Sequence, residues 1–200
     1  MGTRHITRVI YKEEVIIDQY GQWDGYPTGQ GMNVMQFVKE YCADKKLQEF
    51  KERLEKSCLL MAVGGRYCFT GAPITDSLNK VEKLRHKNRY SSDWWKDPDV
   101  GCTKRELREY MAASRDTGSD ILYYLMEREK DGMQFYTDEY THKMTKELDW
   151  QIEGMFIVDL DNELVTIDWH GSTREYSFSR VQQMENKQIE KEMEEFEKEE

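Results

Sequence analysis

Two β-rich runs at the start of the chain are separated by a short polar stretch. Ile6 to Tyr11 and Val15 to Tyr20 are dominated by β-branched and aromatic residues, with Lys12 to Glu14 between them. Such runs, joined by a few polar residues, are typical of antiparallel strand pairs. The pattern therefore predicts an N-terminal hairpin.

Three similar runs lie near the end of the chain. They are Ile152 to Asp159, Leu164 to His170 and Arg174 to Phe178, and the connections between them are short turns. Consecutive strands joined by tight turns are antiparallel neighbours. We therefore expect a C-terminal three-strand meander.

Helical periodicity dominates the segments between these strands. It predicts two successive helices with apolar positions at Val34, Met35, Val38, Tyr41 and Cys42, then at Leu47, Phe50, Leu54 and Cys58. Leu59 to Phe69 lacks a clear period, and Gly64-Gly65 favours a tight turn between two short strands. Further helices are predicted over about 104–113, over Ile121 to Glu129 with Thr117 and Asp120 as a capping box, and from Val181 onward.

Strands near both ends and helices in the middle indicate the α+β class. We expect the hairpin and the meander to form one antiparallel sheet with helices packed on it, because a lone hairpin is seldom stable. Residues 1–184 are assigned to a single domain, with an excursion at about 70–103 that lacks clean periodicity, and residues 185–200 to an acidic helical tail. We expect that tail to be a solvated helix, dispensable for folding; the alternative is a partner-binding helix that uses Ile189, Met193 and Phe196.

Charge narrows the classes of partner. The net charge is −10, and residues 185–200 carry half of that excess, with eight Glu against three Lys. This balance argues against nonspecific nucleic-acid binding, which needs a basic face, and permits a basic partner or carboxylate mimicry of nucleic acid. The basic cluster within residues 80–89, followed by Trp94-Trp95, is either a stacking platform for nucleic acid or a solvated helix face.

Cysteine usage and hydropathy predict the compartment. Cys42, Cys58, Cys68 and Cys102 are scattered, and neither a secretory signal nor a run of about eighteen apolar residues is visible. We expect reduced thiols, no membrane span and a location in the host cytosol.

The loop from Gln19 to Gly31 is the least generic stretch, with four glycines, one proline and three aromatic residues among its thirteen. Glycine permits close backbone approach, and N–H groups at the start of the following helix can point at an anion. Arg4, His5, Asp18 and Asp24 can converge beside this loop on a ligand with phosphate or carboxylate groups. Alternatively, Asp24 hydrogen-bonds its own loop as an Asx turn while Trp23 and Tyr26 pack the loop down. The predicted ligand-binding residues are Arg4, His5, Gln19, Gln22, Trp23, Asp24, Tyr26, Arg115, Asp116 and Thr117.

The segment from Arg115 to Ser119 is included because it can present hydroxyl and N–H groups to an anion, although a helix start with its own cap explains it equally well. The four histidines are isolated, so neither a metal nor a cofactor is expected. No residue is nominated as catalytic.

Several of these motifs together resemble a little-characterised family found in phages, bacteria and fungi. The matching segments are Gly2 to His5, Gln19 to Pro27 closing with Gly29-Gln30-Gly31, Ser114 to Gly118 with Ile121-Leu122, and Phe156 to Asp161. The resemblance covers most of the chain except the excursion and the tail. It implies no catalytic residues, and its occurrence in phages implies an accessory protein that acts on a host process.

Together with this resemblance, the sequence predicts a phage or mobile-element accessory protein that acts by binding and interferes with a host defence component. The expected partner is a host protein or a small anionic, nucleotide-like ligand. The alternative is a small hydrolase of amide or phosphoester substrates, because the order of elements is similar to that of N-terminal-nucleophile amidohydrolases. That chemistry would require Thr3 as the nucleophile.

Overall fold

A computed structural model of the chain describes residues 2–55, 58–63, 66–69, 117–126, 134–137 and 152–199. The predicted excursion at 70–103, the helical zone at 104–113, and the site residues Arg115 and Asp116 lie outside these ranges.

A five-stranded mixed sheet organises the described residues. The predicted hairpin is confirmed as β1 (His5–Tyr11) and β2 (Glu14–Gly21). The predicted meander is confirmed as β6 (Gly154–Asp159), β7 (Leu164–Trp169) and β8 (Ser172–Ser177). The strand order β2-β1-β6-β7-β8 joins hairpin and meander into one sheet, which confirms the α+β class.

The expectation of a purely antiparallel sheet is wrong at one pair of strands. β1 and β6 run parallel, with His5 opposite Gly154 and Ile10 opposite Asp159, while the other pairs in this sheet are antiparallel. Parallel neighbours require a long crossover connection, and here more than a hundred residues separate the two strands. Local strand patterns carry no information about the direction in which two distant units meet.

The turn of the hairpin is fastened to the meander. Lys12 and Glu13 adopt positive φ angles of 56° and 61°. In this conformation both backbone N–H groups donate to the Asp161 carboxylate, at 2.9 and 2.8 Å. Successive N–H groups of this kind form a concave anion site, and a carboxylate of the same chain occupies it.

A second, smaller sheet consists of β3 (Cys58–Val63), β4 (Arg66–Phe69) and β5 (Gln134–Thr137), in the order β4-β3-β5. β3 and β4 are antiparallel, as the Gly64-Gly65 sequence predicts, and β5 pairs parallel with β3. Cys58 begins a strand, so its assignment to the end of the preceding helix is wrong.

Helices cover one face of the five-stranded sheet. They are α1 (Met32–Tyr41), α2 (Asp44–Glu55), α3 (Asp120–Met126), α4 (Phe178–Gln183) and α5 (Asn186–Glu197). A single apolar cluster joins them to the strands; among its members are Val9, Phe37, Phe50, Phe156, Leu122, Val181 and Phe196. No helix in the described ranges has the length and apolar character needed to cross a membrane.

The expectation of a solvated acidic tail is wrong for α5. Ile189, Met193 and Phe196 are buried members of the apolar cluster, and the glutamates lie between them on the sequence. The i, i+4, i+7 spacing therefore marks a core-facing stripe. The helix is part of the domain's packing.

Candidate functional site

Three glycines pack against the side chain of His5. A Cβ atom placed on Gly21 would lie 2.0 Å from His5 Cε1, and one on Gly118 would lie 2.5 Å from His5 Nε2. A Cβ on Gly25 would lie 2.9 Å from His5 Nδ1. These distances are well below carbon contact distances of about 3.5–4.0 Å, so only glycine fits at these positions. We call Gly21, Gly25 and Gly118 the glycine cage.

The glycine cage explains the composition of the loop in a way that sequence alone does not. Gly21 ends β2 directly opposite His5, and Gly25 donates its backbone N–H to the Thr3 carbonyl at 3.3 Å. Gly118, at a φ of 49°, comes from a segment far away in sequence. Two of the four loop glycines, Gly21 and Gly25, thus accommodate a buried imidazole.

His5 belongs to a buried polar row beside the apolar core. It lies on the same face of β1 as Thr7 and Val9, since side chains alternate along a strand. Thr7 is opposite Gln19 on one neighbour and Phe156 on the other, and the His5 and Phe156 ring centroids are 5.8 Å apart. The buried polar residues of the described chain are Thr3, His5, Thr7, Gln19, Thr117 and Ser119.

Burial holds the His5 imidazole neutral. The side chain is 1% exposed, and neither ring nitrogen has a hydrogen-bond partner among the described residues. Loss of solvation lowers the pKa of His5 to about 4, and the nearby Thr3 carbonyl opposes this shift from outside hydrogen-bonding geometry. At neutral pH this histidine is therefore a neutral packing group.

Gln30 joins the two segments that the sequence singles out. Its side-chain oxygen accepts hydrogen bonds from the Ser119 backbone N–H, at 2.8 Å, and from the Ser119 hydroxyl. Its own backbone N–H donates to the Asp24 carbonyl at 3.0 Å. The loop and the start of α3 are thus held together through one side chain.

Thr117 does not form the predicted capping box. Its hydroxyl is buried without a hydrogen-bond partner in the described ranges, and only its carbonyl contacts Asp120, accepting from the backbone N–H at 3.0 Å. The Asp120 carboxylate instead accepts from the side-chain amide of Asn33 at 2.9 Å. The turn before α3 is therefore held by its own backbone hydrogen bond and by the side chain of Asn33 from α1.

One turn of π-helix, Pro27–Gly31, connects the loop to α1. The Gly31 N–H donates to the Tyr26 carbonyl at 3.2 Å, and a Cβ on Gly31 would lie 3.2 Å from the Phe156 ring. Single π-turns are rare and mark local constraints on the backbone. Here the turn brings the end of the loop over the core.

The anion position at the start of this turn is filled by the chain itself. Thr28 donates both its backbone N–H, at 3.2 Å, and its hydroxyl to the Glu197 carboxylate of α5. The Thr28 N–H, one of the groups near the start of the helix that could bind an anionic ligand, is therefore already paired. α5 thus stabilises the loop as well as the core.

The middle of the loop faces solvent. Trp23 is 50% exposed and Tyr26 is 40% exposed, and Asp24 between them is exposed as well. The Tyr26 ring packs at 5.6 Å from the ring of Trp169, and a Cβ on Gly2 would lie 2.5 Å from the Trp23 ring. Each aromatic ring therefore contacts the protein and also exposes part of its surface to water. We call Trp23, Asp24 and Tyr26 the loop surface.

The Asx turn predicted for Asp24 is absent, since its carboxylate accepts no hydrogen bond within residues 2–55. Asp24 has a φ of 56°, its carbonyl binds Gln30 N–H, and Gly29 packs closely on that carbonyl. The backbone of Asp24 is therefore held in place, and its side chain is exposed.

The remaining predicted residues are divided between the buried row and its surroundings. The side-chain amide of Gln19 donates to the Tyr20 carbonyl at 3.0 Å, and that of Gln22 accepts from the Tyr20 hydroxyl at 2.7 Å. The Arg4 carbonyl accepts from the Glu153 N–H at 2.9 Å. Asp18 does not join His5 and Asp24, because it forms an ion pair with Arg8 at 3.1 Å.

Five further residues of this site are absent from the predicted ligand-binding residues: Gln30, Gly118, Ser119, Glu197 and Trp169. Gln30 carried a signal as a polar residue between two glycines, and Gly118 and Ser119 lie in the segment that the sequence singles out. Glu197 and Trp169 carried none, because they reach the loop through tertiary contacts. Across the described ranges, no group of three or more His, Cys, Asp or Glu residues is arranged to hold a metal ion.

Comparisons with protein-family models, with curated proteins and with solved structures gave no match to this chain.

Proposed function

We propose that this protein acts by binding another protein, and that the loop surface is its contact surface. One observation carries the proposal. Three large hydrophobic side chains are exposed in the described ranges, Val15, Trp23 and Tyr26, and two of them flank a single exposed carboxylate in one loop. Tryptophan and tyrosine dominate the binding energy of protein interfaces, because they offer large contact areas with few rotatable bonds.

The rigidity of the loop supports this proposal. The glycine cage, the Gln30 hydrogen bonds and the Thr28–Glu197 contact fix the backbone on both sides of the loop surface. A surface held in its binding conformation loses less entropy on association. Loops that carry function are typically held in this way by a rigid scaffold.

The resemblance to a family that occurs in phages makes a host protein the proposed partner, and interference with a host defence component the proposed outcome. A protein partner is better supported than an anionic ligand, because Glu197 already occupies the N–H group of Thr28. The hydrolase alternative gains no support from the described residues. Thr3, its required nucleophile, is only 5% exposed.

Native mass spectrometry of tagged protein purified from its host tests the proposal. We expect a stoichiometric partner with the wild type, and loss of that partner in the double variant Trp23→Ala/Tyr26→Ala. Val15→Ala is the matched control, because Val15 is also 50% exposed but lies on β2, outside the loop surface.

Thermal unfolding of each variant separates binding from folding. Exposed substitutions away from caps and networks change stability by about 0.5 kcal/mol or less. A partner retained by the loop variant, or lost equally in Val15→Ala, contradicts the proposal.

A further inference from the structure

We propose that the loop surface recognises a cationic side chain, an arginine or lysine of a basic peptide segment, held between the Asp24 carboxylate and the rings of Trp23 and Tyr26. This inference rests on the proposed function and deepens it by naming the chemistry of the partner. Three observations support it: the position of Asp24, the way this chain covers its other aromatic rings, and the local balance of charge.

Among the described residues, no ion pair involves the Asp24 carboxylate, which is exposed. Its backbone is held by Gln30 N–H and by close contact with Gly29. Aspartate tolerates the positive φ of 56° better than most residues, so this backbone geometry is compatible with a charged side chain. Arg4, which directly precedes β1, is itself engaged in an interaction within the chain. The carboxylate is available to a partner.

Within the described ranges, lysines and arginines lie over several aromatic rings, but not over Tyr26. Arg174 lies 4.6 Å from the ring centroid of Phe196, and Arg180 lies 4.9 Å from that of Tyr176. Lysines lie over Tyr11 and Tyr41 at 5.2 and 5.0 Å. In the described part of the chain, no lysine or arginine covers Tyr26, although it lies within two residues of a carboxylate. The ring retains an electron-rich face that attracts a cation.

The charge around the loop also favours a cation. Glu197 is bound to Thr28 of the same loop, so a second carboxylate stands close to the loop surface. The whole chain carries a net charge of −10, which accelerates encounter with a basic segment and repels an acidic one. Arginine fits best, because its planar guanidinium stacks on an aromatic ring while donating hydrogen bonds to a carboxylate.

Fluorescence anisotropy with a defined probe tests this inference. The probe is a labelled short peptide of alternating arginine and glycine. In the control peptide each arginine is replaced by citrulline, which keeps the shape of arginine without the charge. We expect the arginine peptide to bind at least about tenfold more tightly than the citrulline peptide, as a charged hydrogen bond implies.

Two charge-matched variants locate the binding. Asp24→Asn is expected to weaken binding of the arginine peptide by about tenfold or more, while keeping the backbone conformation, which asparagine also tolerates. Glu13→Gln removes the same charge at the opposite end of the hairpin, and is expected to change affinity by no more than about twofold, because distant exposed charges are screened.

Equal binding of the two peptides overturns the inference, as does an equal loss in Asp24→Asn and Glu13→Gln. Absence of binding by the arginine peptide to the folded wild type overturns it as well. If the host partner still depends on Trp23 and Tyr26 in any of these cases, the proposed function stands and only the cationic chemistry is wrong.

Discussion

The fit between Gly21 and His5 gives the sharpest test of the structure. Gly21 ends β2 directly opposite His5 on β1, without a positive φ. Alanine is therefore compatible with the backbone at this position. Its methyl group would nevertheless lie 2.0 Å from His5 Cε1 and 2.2 Å from Nε2, so the ring or the strand must move by more than an ångström.

The size of this effect follows from overpacking. Extra methyl groups in filled interiors cost about 1–3 kcal/mol, and we expect the upper end here because the nearest neighbour is a ring enclosed on three sides. In a domain of this size, about 3 kcal/mol lowers the melting temperature by roughly 6–12 °C.

A double-mutant cycle isolates the contact. His5→Ala removes the ring, so the methyl group of Gly21→Ala then enters space that the ring has left. We expect Gly21→Ala to cost about 2 kcal/mol less in the His5→Ala background than in the wild type, within the range seen for residues in direct contact. Chemical denaturation monitored by circular dichroism measures each of the four stabilities.

Gly171→Ala is the matched control. Gly171 has a φ of 84°, and a Cβ there would meet nothing within 4 Å, so its cost is backbone strain that is independent of His5. We expect that cost to be the same in both backgrounds. If Gly21→Ala costs as much without the His5 ring as with it, the glycine cage does not exist as described.

Three further outcomes follow from the buried row and from α5. The pKa of His5 is lowered from 6.5 to about 4 in the folded state, so between these pH values the unfolded chain binds more protons than the folded protein. Burial of the neutral His5 therefore contributes fully to stability above pH 6.5. This contribution, about 3 kcal/mol, is lost as the pH falls toward 4. Denaturation midpoints from pH 7 to 4 are expected to fall less steeply in His5→Gln than in His170→Gln, and parallel profiles would contradict this. Thr7→Val replaces a buried hydroxyl, which has no hydrogen-bond partner in the described part of the chain, by a methyl group. We expect it to leave stability unchanged or raise it by about 1 kcal/mol, and a clear loss on thermal unfolding would indicate a hydrogen bond at that hydroxyl. Phe196→Ala is expected to lower the free energy of unfolding by about 3–5 kcal/mol, as for a buried phenylalanine. The control Glu194→Ala, at an exposed position of the same helix, is expected to be nearly neutral in the same denaturation experiment. A neutral Phe196→Ala would support the view of α5 as a solvated tail.

The local elements of this protein follow from its sequence. The hairpin, the meander, α1 and most of α2 are confirmed, because period-two and helical patterns record which side of each element faces the core. The same pattern at Ile189, Met193 and Phe196 shows the limit of such reasoning. Charge suggested a solvated helix, yet the apolar stripe is buried in full.

Tertiary structure alone decided how these elements meet. The parallel pairing of β1 with β6 is fixed by the crossover between them and by contacts such as Asp161 with the hairpin turn. The sequence marked the loop as unusual but not the reason for its glycines, because His5 and Gly118 approach it from distant segments. Likewise, the pairing of Glu197 with Thr28 joins residues 169 positions apart. Which backbone groups stay available to a partner therefore depends on packing between segments that no local pattern encodes.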